Sequence, residues 1–279
     1  MKTPARCGAA RVDVALVCGG RWHDFDYARL RLLQWLDGHD SVRCSVFPDF
    51  SDIQAICATD AVIAYTCDIR PTADQALALD QAVHSGTRLL ALHATNSAID
   101  APLAGQERVF RTPDAMPEFS ALLGNRFLAH PKIASYRIAV ADTAHPLVAG
   151  IDDFDTIDEI YVSEIADDLH VILDTEYDGQ CPGFETQSVA GRRRHPVLFS
   201  RSHGDGHVLY FTLGHCRGRF DLSDIGIDDL QVIDRIAWDS PEFLAIMRRA
   251  VAWAVHGERW QDFDRSPGTD HQPSRSLHE

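Results

Sequence analysis

The stretch that most constrains this chain is Arg88-Leu89-Leu90-Ala91-Leu92-His93-Ala94-Thr95-Asn96, a short apolar run ending in a histidine, then small and polar residues. Leu89 to Leu92 reads as a buried strand of a parallel sheet. Ligands of open parallel sheets bind just beyond the carboxyl ends of the strands. His93 therefore falls where a working residue is expected. In several α/β enzymes this strand-to-helix corner presents a nucleophilic Ser or Cys. Here it carries imidazole.

The flanking sequence supports such a sheet. Val12 to Val17 is a β-branched run that fits a first strand, and it ends in Cys18-Gly19-Gly20-Arg21-Trp22-His23. Gly19 and Gly20 permit a tight turn and a close backbone approach to substrate. Ala28, Leu32, Trp35 and Leu36 mark one face of a helix. Ser41 to Phe47 and Ala61 to Thr66 read as strands. Thr72 to Gln75 has capping-box form and opens a helix that turns Ala76, Leu79 and Val83 inward. This β-α-β order predicts a doubly wound parallel sheet with helices on both faces.

Beyond residue 98 the pattern loosens. Arg108 to Pro117 reads as a loop over the site, and Pro117 to Leu123 as a short helix. Ser135 to Val140 and His170 to Leu173 are strand-like. His195 to Ser200 and Val208 to Leu213 form a hairpin around Gly204-Asp205-Gly206. Residues 217–240 are acidic and irregular. Ser240-Pro241 then caps a closing amphipathic helix with Phe243, Met247, Ala250, Val251 and Ala254 on its apolar face. With no repeat and no internal linker, residues 1–260 read as one domain. The polar stretch 261–279 reads as a disordered tail.

Composition excludes several classes. A formal net charge of −15 over 279 residues lacks the basic footprint of nucleic-acid binding. Arg6, Arg11 and Asp13 interrupt any signal-peptide core, and no apolar run approaches the roughly 18 residues of a membrane span. Seven cysteines without C-x-x-C spacing suggest reduced thiols and a cytoplasmic protein. No nicotinamide or flavin fingerprint is present, so any redox step would belong to a partner oxidoreductase. An oligomer is compatible with all of this.

Several motifs recur in a particular order: Gly19-Gly20-x-x-His23, Leu92-His93-Ala94, Leu123-Gly124-x-x-Phe127-x-x-His130-Pro131 and His145-Pro146. Asp158-Glu159-Ile160-Tyr161, Pro196-Val197, Gly204-Asp205-Gly206-x-Val208 and Leu213-Gly214-His215 complete the set. In order and spacing they resemble the trehalose-utilisation (ThuA-like) family, from about Val12 to Val255. The resemblance implies a flavodoxin-like three-layer sandwich with a mostly parallel sheet, similar to class I glutamine amidotransferases. It also implies a role in carbohydrate metabolism.

Glutaminase chemistry needs a cysteine thiolate at the corner, and His93 stands there, so that activity is not expected. The candidate catalytic residues are His93, His23, Glu159 and His215, since imidazole and carboxylate suit proton transfer near neutral pH. His130, Gly19, Gly20, Trp22 and Tyr161 are the candidates for binding a small-molecule sugar, the two aromatics by stacking on it. His23, His93, His130 and His215 are equally a donor set for a divalent metal such as zinc. Each also has a structural reading: His23 as a loop residue, His130 as a turn former before Pro131, Tyr161 as core. Asp158 is taken as a cap beside Glu159, because adjacent residues face opposite sides of a strand. The expectation is an enzyme acting on a sugar or oxidised sugar by histidine acid–base or metal-assisted chemistry. The alternative is a non-catalytic carbohydrate-binding protein.

Overall fold

The computed structural model describes residues 11–102, 109–188 and 191–263. Its first half alternates strand and helix. β1 (Val12–Gly20) leads into α1 (Phe25–Asp37), then β2 (Val42–Phe47), α2 (Ile53–Cys57), β3 (Ala61–Cys67), α3 (Ala73–His84) and β4 (Arg88–Leu92). β3 is buried at every position, as its unbroken apolar run requires of a strand covered on both faces. The capping box of α3 is complete: the Thr72 side chain accepts from the Gln75 N–H, and the Gln75 side chain accepts from the Thr72 N–H.

The second half adds α4 (Pro117–Leu123), β5 (Asn125–Ala129), β6 (Ala134–Val140), β7 (Phe154–Asp158), β8 (Val162–Ile165), β9 (His170–Glu176), β10 (Arg194–His203), β11 (Gly206–Phe211) and α5 (Pro241–His256). Nine strands form one sheet in the order β2-β1-β3-β4-β11-β10-β9-β6-β7. The strands from β2 to β11 in that order pair in parallel. β10, β9, β6 and β7 continue the sheet by antiparallel pairing. The β10–β11 hairpin turns at Gly204-Asp205, with Gly204 at φ 61°. Such a two-residue turn needs a residue free of Cβ strain.

Strand alternation divides the core into two layers. Val14, Leu16, Ile63, Leu90 and Leu92 face α1 and α5. Ala15, Val17, Val62, Leu89 and Ala91 face α2, α3 and α4. This is the expected flavodoxin-like three-layer sandwich. A buried leucine such as Leu90 holds it together: truncation to Ala in such a setting costs about 2–5 kcal/mol.

β5 and β8 pair outside the main sheet as a two-stranded antiparallel ribbon. Phe127 in β5 joins Trp22, Tyr161 and Phe184 in a third apolar cluster. The sequence reading recognised neither strand, because each is short and finds its partner far along the chain. Residues 217–240 are irregular as expected, apart from short 3-10 helices at Ser223–Ile225 and Ile236–Asp239. Of the stretch read as a tail, Gln261 to Phe263 complete a 3-10 helix, Gly257–Phe263; 264–279 lie outside the described residues, as does Arg108 of the expected loop. Among the described residues, no helix is long and apolar enough to cross a membrane.

Candidate active site

Three segments leave the carboxyl ends of β1, β4 and β11, and each delivers a histidine: His23, His93 and His215. The backbone is strained along this edge. Trp22 after β1, Asp68 after β3 and His93 after β4 have φ of 68°, 55° and 47°. A non-glycine residue held in the left-handed region costs about 1–3 kcal/mol and persists only where its surroundings over-determine it. Here three such residues share one sheet edge, and that edge is the ligand edge of the fold.

Glu159 comes from the far edge of the sheet, directly after β7. Its neighbour Asp158 has a buried carboxylate that accepts from the Glu159 N–H (2.6 Å), the Gly214 N–H (2.8 Å) and the His215 N–H (3.3 Å). One side chain thus ties the Glu159 strand to the His215 corner. Burial pushes the Asp158 carboxyl up to about 7, against the pull of His215 and these backbone donors. The capping role foreseen for Asp158 extends across two elements.

The structure gathers His23, His93, Glu159 and His215 so closely that one ligating atom from each lies within 4.8 Å of the others. All four are buried. Backbone carbonyls fix two of the tautomers. His93 Nδ1 lies 2.8 Å from the Thr212 carbonyl oxygen, and His23 Nδ1 lies 3.1 Å from that of Arg21. A carbonyl oxygen only accepts, so each ring carries its proton on Nδ1 and presents a bare Nε2 to the site. These two Nε2 atoms are 3.0 Å apart. Burial holds the His93 imidazolium down to about 3, against the attraction of Glu159. Burial and the facing His93 and His215 rings hold His23 well below its ordinary value. Both rings are therefore neutral near pH 7. The Tyr161 hydroxyl lies 3.2 Å from His93 Nε2.

His215 Nδ1 lies 3.2 Å from Glu159 Oε1, but not in hydrogen-bond alignment, and its Nε2 has no hydrogen-bond partner among the described residues. Burial alone would raise the Glu159 carboxyl; His130, His215 and His93 outweigh it and hold Glu159 well below the carboxylate range. His130 stands just outside the quartet, its Nε2 3.6 Å from Glu159 Oε1 and its Nδ1 directed to the Pro131 carbonyl at 2.7 Å. Arg217 donates from Nε to the Trp22 carbonyl and brings Nη2 to 3.8 Å from Glu159 Oε1.

Above this floor opens a cavity of about 560 Å³, lined by Trp22, Tyr161 and His130 among others. Gly19 and Gly20 are not among its lining residues. Their missing side chains serve the packing instead. A Cβ on Gly19 would strike the Pro48 carbonyl, and one on Gly20 (φ 128°) the Cys67 carbonyl. Cys67 does line the cavity, yet burial and Asp68 push its thiol well above the ordinary value. Cys18 and Cys216 are raised by burial to about 12. The reading from sequence passed over Arg217, Lys132, Phe110 and Phe184, all in the lining. Arg217 could have been found, two residues beyond His215 at the same strand end. Phe110 and Phe184 lie in irregular segments without a periodic signal.

A family model described as trehalose utilisation, ThuA, matches residues 37–225, well over half of the chain. The chain belongs to the ThuA family. A ThuA-like protein from Parabacteroides merdae ATCC 43184 superposes with a TM-score of 0.57 at 15% identity, over 89% of this chain and 91% of that one. One from Bacteroides uniformis ATCC 8492 gives 0.55 at 17% identity, over 90% and 96%. At such identities the likeness is one of fold. No curated protein matches the chain in sequence.

Proposed function

We propose that this ThuA-family protein is an enzyme that acts on a sugar or oxidised sugar with a divalent metal, such as zinc, held by His23, His93, Glu159 and His215. One observation carries the reading: two neutral imidazoles direct bare Nε2 atoms at each other across 3.0 Å in a buried site. Two lone pairs so placed repel unless a cation lies between or beside them. A carboxylate and an unpartnered His215 nitrogen complete a donor set suited to zinc. The Nδ1 bonds to the Arg21 and Thr212 carbonyls are the outer contacts that orient metal-binding histidines. His130 thereby moves from the expected donor set to a neighbouring role. The carbohydrate part of the reading rests on the family's description and on the aromatic lining.

The ion would polarise a sugar carbonyl or hydroxyl oxygen as a Lewis acid. His130, less buried and beside Glu159, is placed to take or return the proton. Arg217 and the Tyr161 hydroxyl offer positive charge and a donor to a developing oxyanion. The high thiol values of Cys18, Cys67 and Cys216 argue against a thiolate mechanism.

Metal analysis of protein purified without an affinity tag tests this directly. The expected result is about one zinc-class ion per chain, lost in His93→Ala with unchanged circular dichroism. Metal-free protein that takes up no ion on titration would remove the metal. Once a substrate is found, His130→Ala should lower turnover by about 10²-fold or more. Sugar binding without turnover under any metal would favour the carbohydrate-binding alternative.

A further inference from the structure

The charged groups of the described lining cluster around Glu159. His23, Glu159, Tyr161, His130 and Arg217 surround the floor. Most of the remaining described lining is apolar, with Phe110, Phe184, Ile99, Leu222, Ile225 and Ile227 set against the polar Ser97 and Lys132. The aromatic wall is continuous. The Trp22 ring meets Phe110 edge-on with centroids 6.2 Å apart, Phe110 lies 5.7 Å from Phe184, and Phe184 lies 4.8 Å from the His130 ring. Asp224, beside this wall, is already occupied: it accepts from Trp22 Nε1 at 3.1 Å and from Arg21 Nε at 2.8 Å.

Resting on the sugar reading above, we infer that the substrate is a single sugar ring bearing an apolar substituent, a glycoside of an aromatic or alkyl alcohol, rather than a disaccharide. At about 560 Å³ the space exceeds what one pyranose ring fills and lies within the range of sites for larger ligands. One ring can satisfy its hydroxyls at the floor, where donors and acceptors converge. A second ring would set its hydroxyls against Phe110, Leu222, Ile225 and Ile227, which offer no side-chain hydrogen bond. Each unpaired hydroxyl buried there would weaken binding. An aryl or alkyl group in the same place loses nothing polar and gains contact with the aromatic wall. Among the described lining, the buried Ser97 and the exposed Lys132 are the remaining polar side chains, two groups for the many hydroxyls of a second ring.

Calorimetric titration of the zinc-loaded protein decides the matter. The probes are methyl and phenyl pyranosides of glucose, galactose and mannose, their disaccharides including trehalose, and phenol alone. For the sugar it accepts, the phenyl glycoside should bind about tenfold or more tighter than the methyl glycoside, and the disaccharide no tighter than the methyl one. Ile225→Asn, at a partly exposed position of the Ser223–Ile225 helix, should abolish most of that difference. A disaccharide as tight as the phenyl glycoside overturns the inference and leaves the sugar reading standing. So does a phenyl advantage that survives Ile225→Asn. Phenol binding as tightly as its glycosides, or no sugar binding in any form while zinc stays bound, overturns the sugar reading and the inference with it.

Discussion

At Asp158 a carboxylate does its work through other residues. It touches three backbone N–H groups, those of Glu159, Gly214 and His215, and so sets the distance between two members of the quartet. Asp158→Ala would leave those buried donors without an acceptor, at about 1–3 kcal/mol each before relaxation. Metal affinity should also fall, by about 10–100-fold, the usual scale for loss of a contact that orients a ligand. Thermal denaturation and zinc titration of this variant check the two effects separately. An unchanged zinc affinity would confine Asp158 to folding. Adjacency in sequence sets Glu159 and Asp158 on different sides, and in the fold Glu159 faces the histidines while Asp158 faces the backbone.

At the level of elements, the end of β1 shows how a motif can point at a site for a different reason from the one read. Gly19-Gly20 was taken for a substrate-binding turn. In the fold, both glycines let β1 pass close to the Pro48 and Cys67 carbonyls, and Trp22 and His23 follow into the cavity lining. Gly20→Ala should destabilise the protein by more than about 1 kcal/mol, because alanine is unsuited to φ 128° and its Cβ would enter the Cys67 carbonyl. Denaturant unfolding measures this, and a variant as stable as the parent would contradict the packing argument. The β5–β8 ribbon was missed for a related reason. Its residues look irregular in sequence because their pairing joins positions some forty residues apart.

For the molecule as a whole, acid is the sensitive direction. His23 and His93 stay neutral when folded but bind protons below about pH 6.5 when unfolded. The unfolded state then holds more protons, and stability falls with falling pH by about 1.4 kcal/mol per unit for each ring. Asp158 acts oppositely. Its folded carboxyl, at about 7, takes a proton that the unfolded chain does not yet bind, which adds stability at a similar rate toward its ordinary value near 3.8. Two histidines against one carboxyl leave a net loss of about 1.4 kcal/mol per pH unit below pH 6.5. His145 and His195, also lowered by burial, act in the same direction as His23 and His93. Urea unfolding of metal-free protein between pH 7.5 and 5 should show at least this slope below pH 6.5; stability that rises in acid there would mean that the histidines are not buried neutral. Zinc should be released over the same range, since protons compete for the same nitrogens.

The sequence by itself determined the layered parallel half of this protein. Hydrophobic period, helix caps and turn residues are local, and each names its own element: the run of β3, the capping box of α3, the Gly204-Asp205 turn. Local reading also located three of the site histidines, because the ends of parallel strands share one edge whatever lies between them in the chain. It could not supply the rest. Which nitrogens are bare depends on the Arg21 and Thr212 carbonyls. Glu159 reaches the histidines because Asp158 fastens two distant segments together. Phe110, Phe184 and Ile225 meet as a wall only once the second half of the chain has folded over the sheet edge. Those contacts join residues far apart in sequence, and no local propensity encodes them.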